Sequence, residues 1–237
     1  MDNQTTIGRL FGEDMITFVI PSYQRAYSWR VGKDGRVGQV DMFLNDIIDQ
    51  PDNSSYFLGH YLFEKTQGNR YELIDGQQRL TTTVIFMSCL VKELRKRKIV
   101  RFDYNNMQYA TEQIYERYLQ PRYGSQKFET VPEDSSFFNR LIIECDSDYR
   151  IETGRRSERR IREASSFFEE KMATQTEEGT LFKWFHVIDN AIITTFLLSG
   201  ESAKLTATQI FAFQNDLGLG LTTLENLKAF LMHQIYK

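Results

Sequence analysis

YELIDGQQRLTTTVIFMSCLVKELRKRK, residues 71–98, passes from a short apolar run through a polar turn into a long helical pattern. Apolar residues then recur at every third or fourth position, which predicts a helix over residues 77–97 with one buried face. They are Leu80, Val84, Met87, Val91 and Leu94. Basic residues crowd positions 92–98, where cations interact favourably with the helix dipole. The segment therefore predicts a strand, a sharp turn at Asp75-Gly76 and a long helix.

The sequence before this segment predicts a hairpin and one further helix. Strands over residues 56–64 and 71–74 flank a glycine-containing turn, an arrangement typical of a hairpin. An earlier extended run over 15–20 stops at a proline. Apolar residues at helical spacing then predict a helix that begins near Val37. They are Val40, Phe43, Leu44, Ile47 and Ile48.

After Val100 the pattern predicts helices alone. They lie near residues 107–119, 135–143, 157–172, 181–188, 206–215 and 223–236. This order predicts an α+β protein, with a small mixed sheet and helices over residues 1–100 and a mainly helical subdomain over 101–237 packed on it. No linker separates the two parts, so they could share one core. The helical pattern still runs at Lys237, which predicts a fragment of a longer protein.

Composition excludes several classes of protein. The 29 Lys and Arg against 32 Asp and Glu give a net charge of −3, so any contact with DNA must be local. The two cysteines, Cys89 and Cys145, form no CxxC or Cys/His cluster, which favours a reducing compartment over a disulfide framework. No apolar run reaches the roughly 20 residues of a membrane helix. We therefore expect a cytoplasmic protein.

The polar turn Asp75–Arg79 has the residue types of a phosphate site. Helix N-terminal amides lack intrahelical partners and carry positive partial charge, and Gly76 permits close approach. Arg79 could add a bidentate clamp, and Asp75 could bind Mg²⁺ through a nucleotide, a ribose hydroxyl or an attacking water. Gln77 and Gln78 could orient water or a base. The other interpretation is structural: Asp75 caps the helix and the following residues form a solvated first turn.

A second cluster, FVIPSYQRAYSW over residues 18–29, follows the first predicted strand. Aromatic faces at Tyr23, Tyr27 and Trp29 beside Arg25 and Gln24 suit a nucleobase or a flipped base next to a phosphate. The alternative places the aromatic residues in the core or a lid, with Arg25 in a structural ion pair. The residue types alone leave both interpretations open.

Together these motifs make the sequence recognisable. In order they are FVIPSYQRAYSW (18–29), FLND (43–46), YFLGHYLF (56–63), IDGQQRLTT (74–82) and IFAFQNDLGLGLTTLENLKAFL (210–231). They resemble the N-terminal regulatory domain of GmrSD-like, modification-dependent (type IV) restriction enzymes, a domain similar to the ParB/sulfiredoxin-like nucleotide-binding fold. The resemblance spans almost the whole chain, and it implies a nucleotide-handling domain of a phage-defence protein.

The resemblance also implies roles for residues. It implies catalytic roles in hydrolysis of a nucleoside triphosphate with Mg²⁺ for Asp75, Gln77, Gln78 and Arg79, with Asp75 nearest the metal. It implies nucleotide contacts for Gly76, Arg79, Thr81, Arg25 and Gln24. Sensing of DNA or of a modified base would fall on Tyr23, Gln24, Arg25, Tyr27 and Trp29.

The family typically joins this domain to an HNH-type nuclease, and here the sequence departs from it. The histidines are His60, His186 and His233, which lie far apart without metal-site spacing. An HNH site within this chain is not expected, so the nuclease is a C-terminal or separate partner. His60 itself is predicted to be a partly buried histidine on a strand.

Three functions remain open from the sequence. The first is a regulatory domain that binds and hydrolyses a nucleoside triphosphate, and the second is a non-catalytic recognition module for modified DNA. The third is a helical interaction platform whose pocket has lost activity. A run of six arginines over residues 150–162 is either a solvated helix face or a contact for DNA backbone or a nuclease partner.

Overall fold

The computed structural model describes residues 4–198 except 14, 53, 122, 124, 125 and 147–153. The strands are β1 Gln4–Thr6, β2 Thr17–Val19, β3 Phe57–Lys65, β4 Arg70–Asp75, β5 Arg101–Tyr104, β6 Met107–Ala110, β7 Phe128–Glu129 and β8 Ile192–Leu198. The helices are α1 Ile7–Gly12, α2 Gln39–Ile48, α3 Gln77–Lys96, α4 Thr111–Tyr118, α5 Ser135–Phe138, α6 Arg156–Ala173 and α7 Glu178–Asp189. The helices predicted at 206–215 and 223–236 lie outside the described residues.

A six-stranded mixed sheet organises the fold, in the order β1-β8-β3-β4-β2-β7. The pairs β3/β8, β2/β4 and β2/β7 are parallel, whereas β1/β8 and β3/β4 are antiparallel. The predicted α+β class is confirmed. The predicted hairpin is confirmed as well, because β3 and β4 pair through Phe63↔Leu73 and its neighbours across a short turn.

Helix α3 lies in the core rather than on its surface. The predicted apolar face is buried, and so are residues on the opposite side such as Ile85, Phe86 and Leu90. Helices α4 and α6 both pack against it, so apolar residues surround the helix instead of forming one stripe. A continuous hydrophobic cluster joins α3 to the sheet and to helices from both sides of residue 100.

The basic end of α3 holds neighbouring elements. The Nζ of Lys92 donates to the carbonyl of Leu141 at 2.9 Å and pairs with Glu169 at 3.1 Å. Arg95 makes two hydrogen bonds, of 2.8 and 2.7 Å, to the carboxylate of Glu112 on α4. These cations therefore hold α4 and α6 against α3 instead of forming a solvated or DNA-facing stripe.

The expectation that only helices follow residue 100 is wrong. Strands β5 and β6 form a hairpin whose turn residues Asn105 and Asn106 have φ of 50° and 60°, a left-handed pair that asparagine tolerates. The helix predicted from 107 therefore begins only at Thr111. Strand β8 joins the main sheet between β1 and β3. How the chain divides into domains stays a prediction.

The topology brings the two polar clusters together. Strands β2 and β4 are parallel neighbours, paired from Thr17↔Arg70 to Val19↔Glu72, so their carboxyl ends lie at one edge of the sheet. The segment 21–30 leaves β2 at this edge, and the turn before α3 leaves β4 there. Ligands of open α/β sheets bind at such edges. Within the described residues, no helix has the length and apolar composition that a bilayer span requires.

Candidate functional site

The turn between β4 and α3 leaves the helix N-terminus without a side-chain cap. Asp75 ends the strand, and Gly76 occupies the N-cap position with φ of 90°, in the left-handed region that favours glycine. The first intrahelical bond runs from the amide of Leu80 to the carbonyl of Gly76 at 3.0 Å. The interpretation of Asp75 as the helix cap is therefore wrong, and the amides of residues 77–79 remain available to an external acceptor.

Gly76 is closely packed as well as left-handed. A Cβ added here would lie 2.6 Å from Cδ1 of Tyr61 and 3.2 Å from the carbonyl oxygen of His60. The first distance is shorter than van der Waals contact permits. Strand β3 therefore lies directly beside the helix N-terminus, and it accepts only a glycine at this position.

Arg79 lies across this turn in a fixed orientation. Its Nη2 donates to the carbonyl oxygen of His60 at 2.6 Å and lies 4.0 Å from Oδ2 of Asp75. Its guanidinium carbon lies 5.2 Å from the centre of the Tyr61 ring. About a third of each charged side chain remains exposed, 31% for Arg79 and 35% for Asp75. The guanidinium is thus held in place with donors left for a ligand.

Gly59 makes room for Arg79, a role that sequence reasoning missed. A Cβ added at Gly59 would meet Nη1 of Arg79 at 2.0 Å, and the residue has φ of 110°. The register of β3 against β8 shifts between Phe57 and Gly59. A glycine inside a strand pattern often indicates a bulge or a close approach, and that signal was present in YFLGHYLF.

The same bulge corrects the prediction for His60. Its side chain is exposed, not partly buried, and its ring lies between those of Phe57 at 5.3 Å and Phe196 at 6.1 Å. The irregular register at Gly59 breaks the simple alternation of the strand, so His60 is exposed although Leu58, two residues before it, is buried. His60 therefore serves Arg79 through its backbone carbonyl rather than through its imidazole.

Two buried polar atoms beside the turn have no hydrogen-bond partner among the described residues. They are Oε1 of Gln77, whose side chain is 9% exposed, and the hydroxyl of the fully buried Tyr61. Gln77 follows Gly76 directly, and the Tyr61 ring packs against that glycine. A buried polar group left unpaired costs about 1–3 kcal/mol, so a ligand or bound water that pairs with these atoms would be favoured.

The positive charge of Arg79 affects the pKa of two nearby tyrosines, Tyr56 and Tyr61. Burial raises the pKa of Tyr56 to about 12, the carboxylate of Asp46 raises it further and Arg79 opposes the rise. Burial likewise raises the pKa of the Tyr61 hydroxyl, again opposed by Arg79. The pKa of Asp46 is itself raised by burial and by Asp49. The tyrosines therefore stay neutral donors near neutral pH, beside a fixed positive charge.

Glutamine side chains join the 21–30 segment to the turn. Nε2 of Gln24 donates to the carbonyl of Ile74 at 2.7 Å, one residue before Asp75. Oε1 of the buried Gln78 accepts from the amide of Ser28 at 2.8 Å, and its Nε2 donates to the carbonyl of Ala26 at 3.3 Å. The side chain of Gln78 thus holds the neighbouring segment in place.

Three further residues predicted for the site point into the protein. The hydroxyl of the buried Tyr27 lies 2.9 Å from Oγ1 of Thr82. Trp29 is partly buried, and its ring centre lies 6.5 Å from that of Phe43. Oγ1 of the buried Thr81 donates to the carbonyl of Gln77 at 2.7 Å. Their position favours structural roles for all three side chains.

Tyr23 and Arg25 remain accessible in the second cluster. Tyr23 is 37% exposed and lines a cavity of about 560 Å³ together with Arg70 and Glu129. The latter two form a bidentate pair with bonds of 2.8 and 2.5 Å. The side chain of Arg25 is also exposed. An external ligand can therefore reach these two residues directly.

We expect Tyr27→Phe to lower the free energy of unfolding by about 1 kcal/mol, because it removes the buried hydrogen bond to Thr82 without creating a cavity. Urea unfolding followed by circular dichroism measures the change. The matched control is Tyr123→Phe, since Tyr123 is 85% exposed and should show no effect. Equal stability of the two variants would contradict the role assigned to Tyr27.

The residues at the turn fit a magnesium–nucleotide complex better than a protein-only metal site. Among the described residues, no three His, Cys, Asp or Glu side chains lie close enough to hold a metal ion. Mg²⁺ usually keeps several waters and is bound by one or two carboxylates together with substrate phosphates. Asp75 supplies one accessible carboxylate beside the uncapped helix, which satisfies that requirement.

The chain matches the model of a known family. The family model described as GmrSD restriction endonuclease, N-terminal domain, matches residues 7–232. The matched region contains both the 21–30 segment and the Asp75–Arg79 turn. No curated protein matches the chain.

Proposed function

Because this chain belongs to the family of GmrSD restriction endonuclease N-terminal domains, we propose that it is the nucleotide-dependent regulatory domain of a restriction system. In this proposal a nucleoside triphosphate binds at Asp75–Arg79 and its hydrolysis gates a nuclease that lies outside residues 1–237. One observation carries the proposal: an uncapped helix N-terminus combines with an oriented arginine and with buried polar atoms that lack partners.

The phosphates would bind at the start of α3. The amides of residues 77–79 point along the helix axis and carry its positive partial charge. Arg79 adds a permanent charge whose position is set by the carbonyl of His60 and by the space left at Gly59. Because this geometry exists before a ligand arrives, little ordering of side chains opposes binding.

Asp75 would hold the nucleotide-bound Mg²⁺, which neutralises charge on the phosphates when it is present. Hydrolysis forms a bond from a water oxygen to the γ-phosphorus and breaks the bond from that phosphorus to the β-γ bridging oxygen. One water proton stays on the transferred oxygen and the second passes to another phosphate oxygen, so the product leaves as H₂PO₄⁻. Oε1 of Gln77 lacks a partner and can accept a hydrogen bond from that water, which would orient it for attack.

Gln78 would act as a positioning residue. Its side chain connects the first turn of α3 to the backbone at Ala26 and Ser28. A ligand that shifts the helix N-terminus would therefore shift the segment that carries Tyr23 and Arg25. Such a connection is what a regulatory domain needs, because a nucleotide alters activity only by its different affinity for two conformations.

Calorimetric titration of the purified chain with ATP, GTP, CTP and UTP in the presence of Mg²⁺ tests this function. We expect at least one triphosphate to bind with micromolar affinity and the chain to release inorganic phosphate from it. Binding without phosphate release would support a nucleotide-sensing role and exclude hydrolysis by this chain. Failure of all four to bind would contradict the proposal.

A second candidate function is recognition of modified DNA without turnover. The accessible Tyr23 beside a cavity of about 560 Å³ favours it, since an exposed aromatic ring can stack on an extruded base. The two functions make different predictions for a duplex that carries modified cytosines. Modification-dependent binding without any nucleotide supports the recognition module.

A further inference from the structure

A second cavity, of about 350 Å³, lies between the 26–30 segment and the first turns of α6. Its polar lining consists of Arg30, Arg156, Arg160, Ser28, Ser157 and Tyr27. No acidic side chain lines it within the described part of the chain. These arginines come from positions more than a hundred residues apart, so the fold rather than the local sequence brings them together.

Two of the three arginines have no counterion among the described residues. Arg160 pairs with Glu163 at 2.7 Å, and Glu163 also binds Lys33 at 3.0 Å. Arg30 and Arg156 are exposed, and no carboxylate of the described residues forms an ion pair with either. Within the described residues, Arg30 and Arg156 therefore leave two positive charges uncompensated at one opening.

The start of α6 adds to this positive field. The helix has 18 residues, and its first intrahelical bond runs from the amide of Arg159 to the carbonyl of Arg155 at 3.2 Å. The amides of Arg156 and Ser157 therefore precede that bond. Glu158 opposes the field in part, because its carboxylate accepts from the amide of Arg155 at 2.9 Å.

The serines of the cavity are already oriented. Ser157 donates its hydroxyl to Oδ1 of the buried Asp134 at 2.8 Å, and Ser28 donates its hydroxyl to Oε1 of Gln78 at 3.3 Å. The arginines therefore supply the donors for a ligand. The backbone amide of Ser28 donates to Gln78, which lies at the turn before α3. The cavity is therefore a separate opening that shares the 26–30 segment with the proposed nucleotide site.

We infer that this cavity binds the phosphodiester backbone of DNA. The net charge of −3 gives the chain no general attraction to polyanions, so binding requires a local cluster of cations such as this one. Planar guanidinium groups match phosphate oxygens in bidentate geometry. Contacts to phosphate position a duplex without reading its sequence.

The test measures DNA affinity of the Arg30→Ala/Arg156→Ala double variant over a range of salt concentrations. Fluorescence anisotropy with a labelled duplex gives the affinity of the full 237-residue chain. We expect a loss of about tenfold or more, with the slope of log K against log salt reduced by roughly 2, since each lost phosphate contact removes about 0.9. Arg9→Ala/Arg101→Ala removes the same charge at exposed positions outside the cavity and should retain binding.

Each other outcome contradicts the inference. Equal losses in the two double variants would mean that overall charge, not the cavity, binds DNA. Loss of ATP affinity with unchanged DNA affinity would assign the cavity to a free nucleotide. Absence of salt-dependent DNA binding by the unchanged chain would also overturn it. Thermal unfolding verifies that each variant is folded. Arg156→Glu should weaken DNA binding more than alanine at the same position, because its carboxylate repels phosphate.

Discussion

Alanine in place of Arg79 is expected to weaken binding of a magnesium–triphosphate complex by roughly ten- to a hundredfold, because charge-assisted contacts contribute roughly 1.5–3 kcal/mol each. The side chain is oriented before binding by the carbonyl of His60, and about a third of it faces solvent. Isothermal titration calorimetry measures the change in affinity. The same variant should lose most phosphate release if hydrolysis occurs at this turn.

Two further variants separate charge from geometry at this position. Arg79→Lys keeps the positive charge but loses the planar, bidentate donor set, so its affinity should lie between those of the unchanged chain and the alanine variant. Arg101→Ala removes one exposed arginine on β5 and should leave affinity unchanged. Nucleotide affinity unaltered in Arg79→Ala, in a chain that unfolds at its usual temperature, would eliminate the proposed phosphate contact.

Gly76→Ala is expected to destabilise the fold by roughly 2–5 kcal/mol. An L-residue in the left-handed region costs about 1–2 kcal/mol, and overpacking typically adds about 1–3 kcal/mol. Here the added methyl would lie 2.6 Å from the ring of the fully buried Tyr61, which has no room to withdraw. Urea unfolding followed by fluorescence or circular dichroism measures the loss.

Gly68→Ala provides the matched control for that substitution. Gly68 has φ of 69°, but an added Cβ would have nothing within 4 Å. Only the backbone cost of about 1–2 kcal/mol should therefore appear. If both variants lost the same stability, the close packing of β3 against the start of α3 would not be a determinant of this turn.

Local patterns predicted the elements that define the site. Apolar periodicity predicted α3 to within one residue at its end, and the glycine-containing turn predicted the β3–β4 pair. The Asp75-Gly76 turn was placed correctly because a glycine between a predicted strand and a predicted helix indicates a turn, and Gly76 has φ of 90°. These signals depend on neighbouring residues alone.

The elements that sequence reasoning missed depend on distant partners or on turn chemistry. Strand β7 has two residues and exists through its pairing with β2, and β8 is stabilised between β1 and β3. The Asn105-Asn106 turn carried a hairpin signal that the helical pattern after it concealed. Short strands in a mixed sheet cannot be recognised from periodicity alone.

The sequence indicated which residues gather at the turn before α3, but not which way their side chains point. The sequence analysis grouped Gln77 with Gln78, yet Gln78 binds the 26–28 backbone whereas Oε1 of Gln77 lies buried without a partner. The segment 21–30 packs against the first turn of α3 and decides which side of that turn is buried. Because this segment is distant in sequence, local patterns could not predict the orientation of the two glutamines. The roles of these residues toward a nucleotide stay predictions.

Amide chemical shifts measured by NMR during titration with a magnesium triphosphate would locate the phosphates, and so test whether they bind at Asp75–Arg79. We expect the largest shifts on the amides of Gly76 and residues 77–79, with smaller ones at Ala26 and Ser28. Shifts concentrated at Arg156 and Ser157, or none at residues 76–79 under saturating nucleotide, would contradict this expectation.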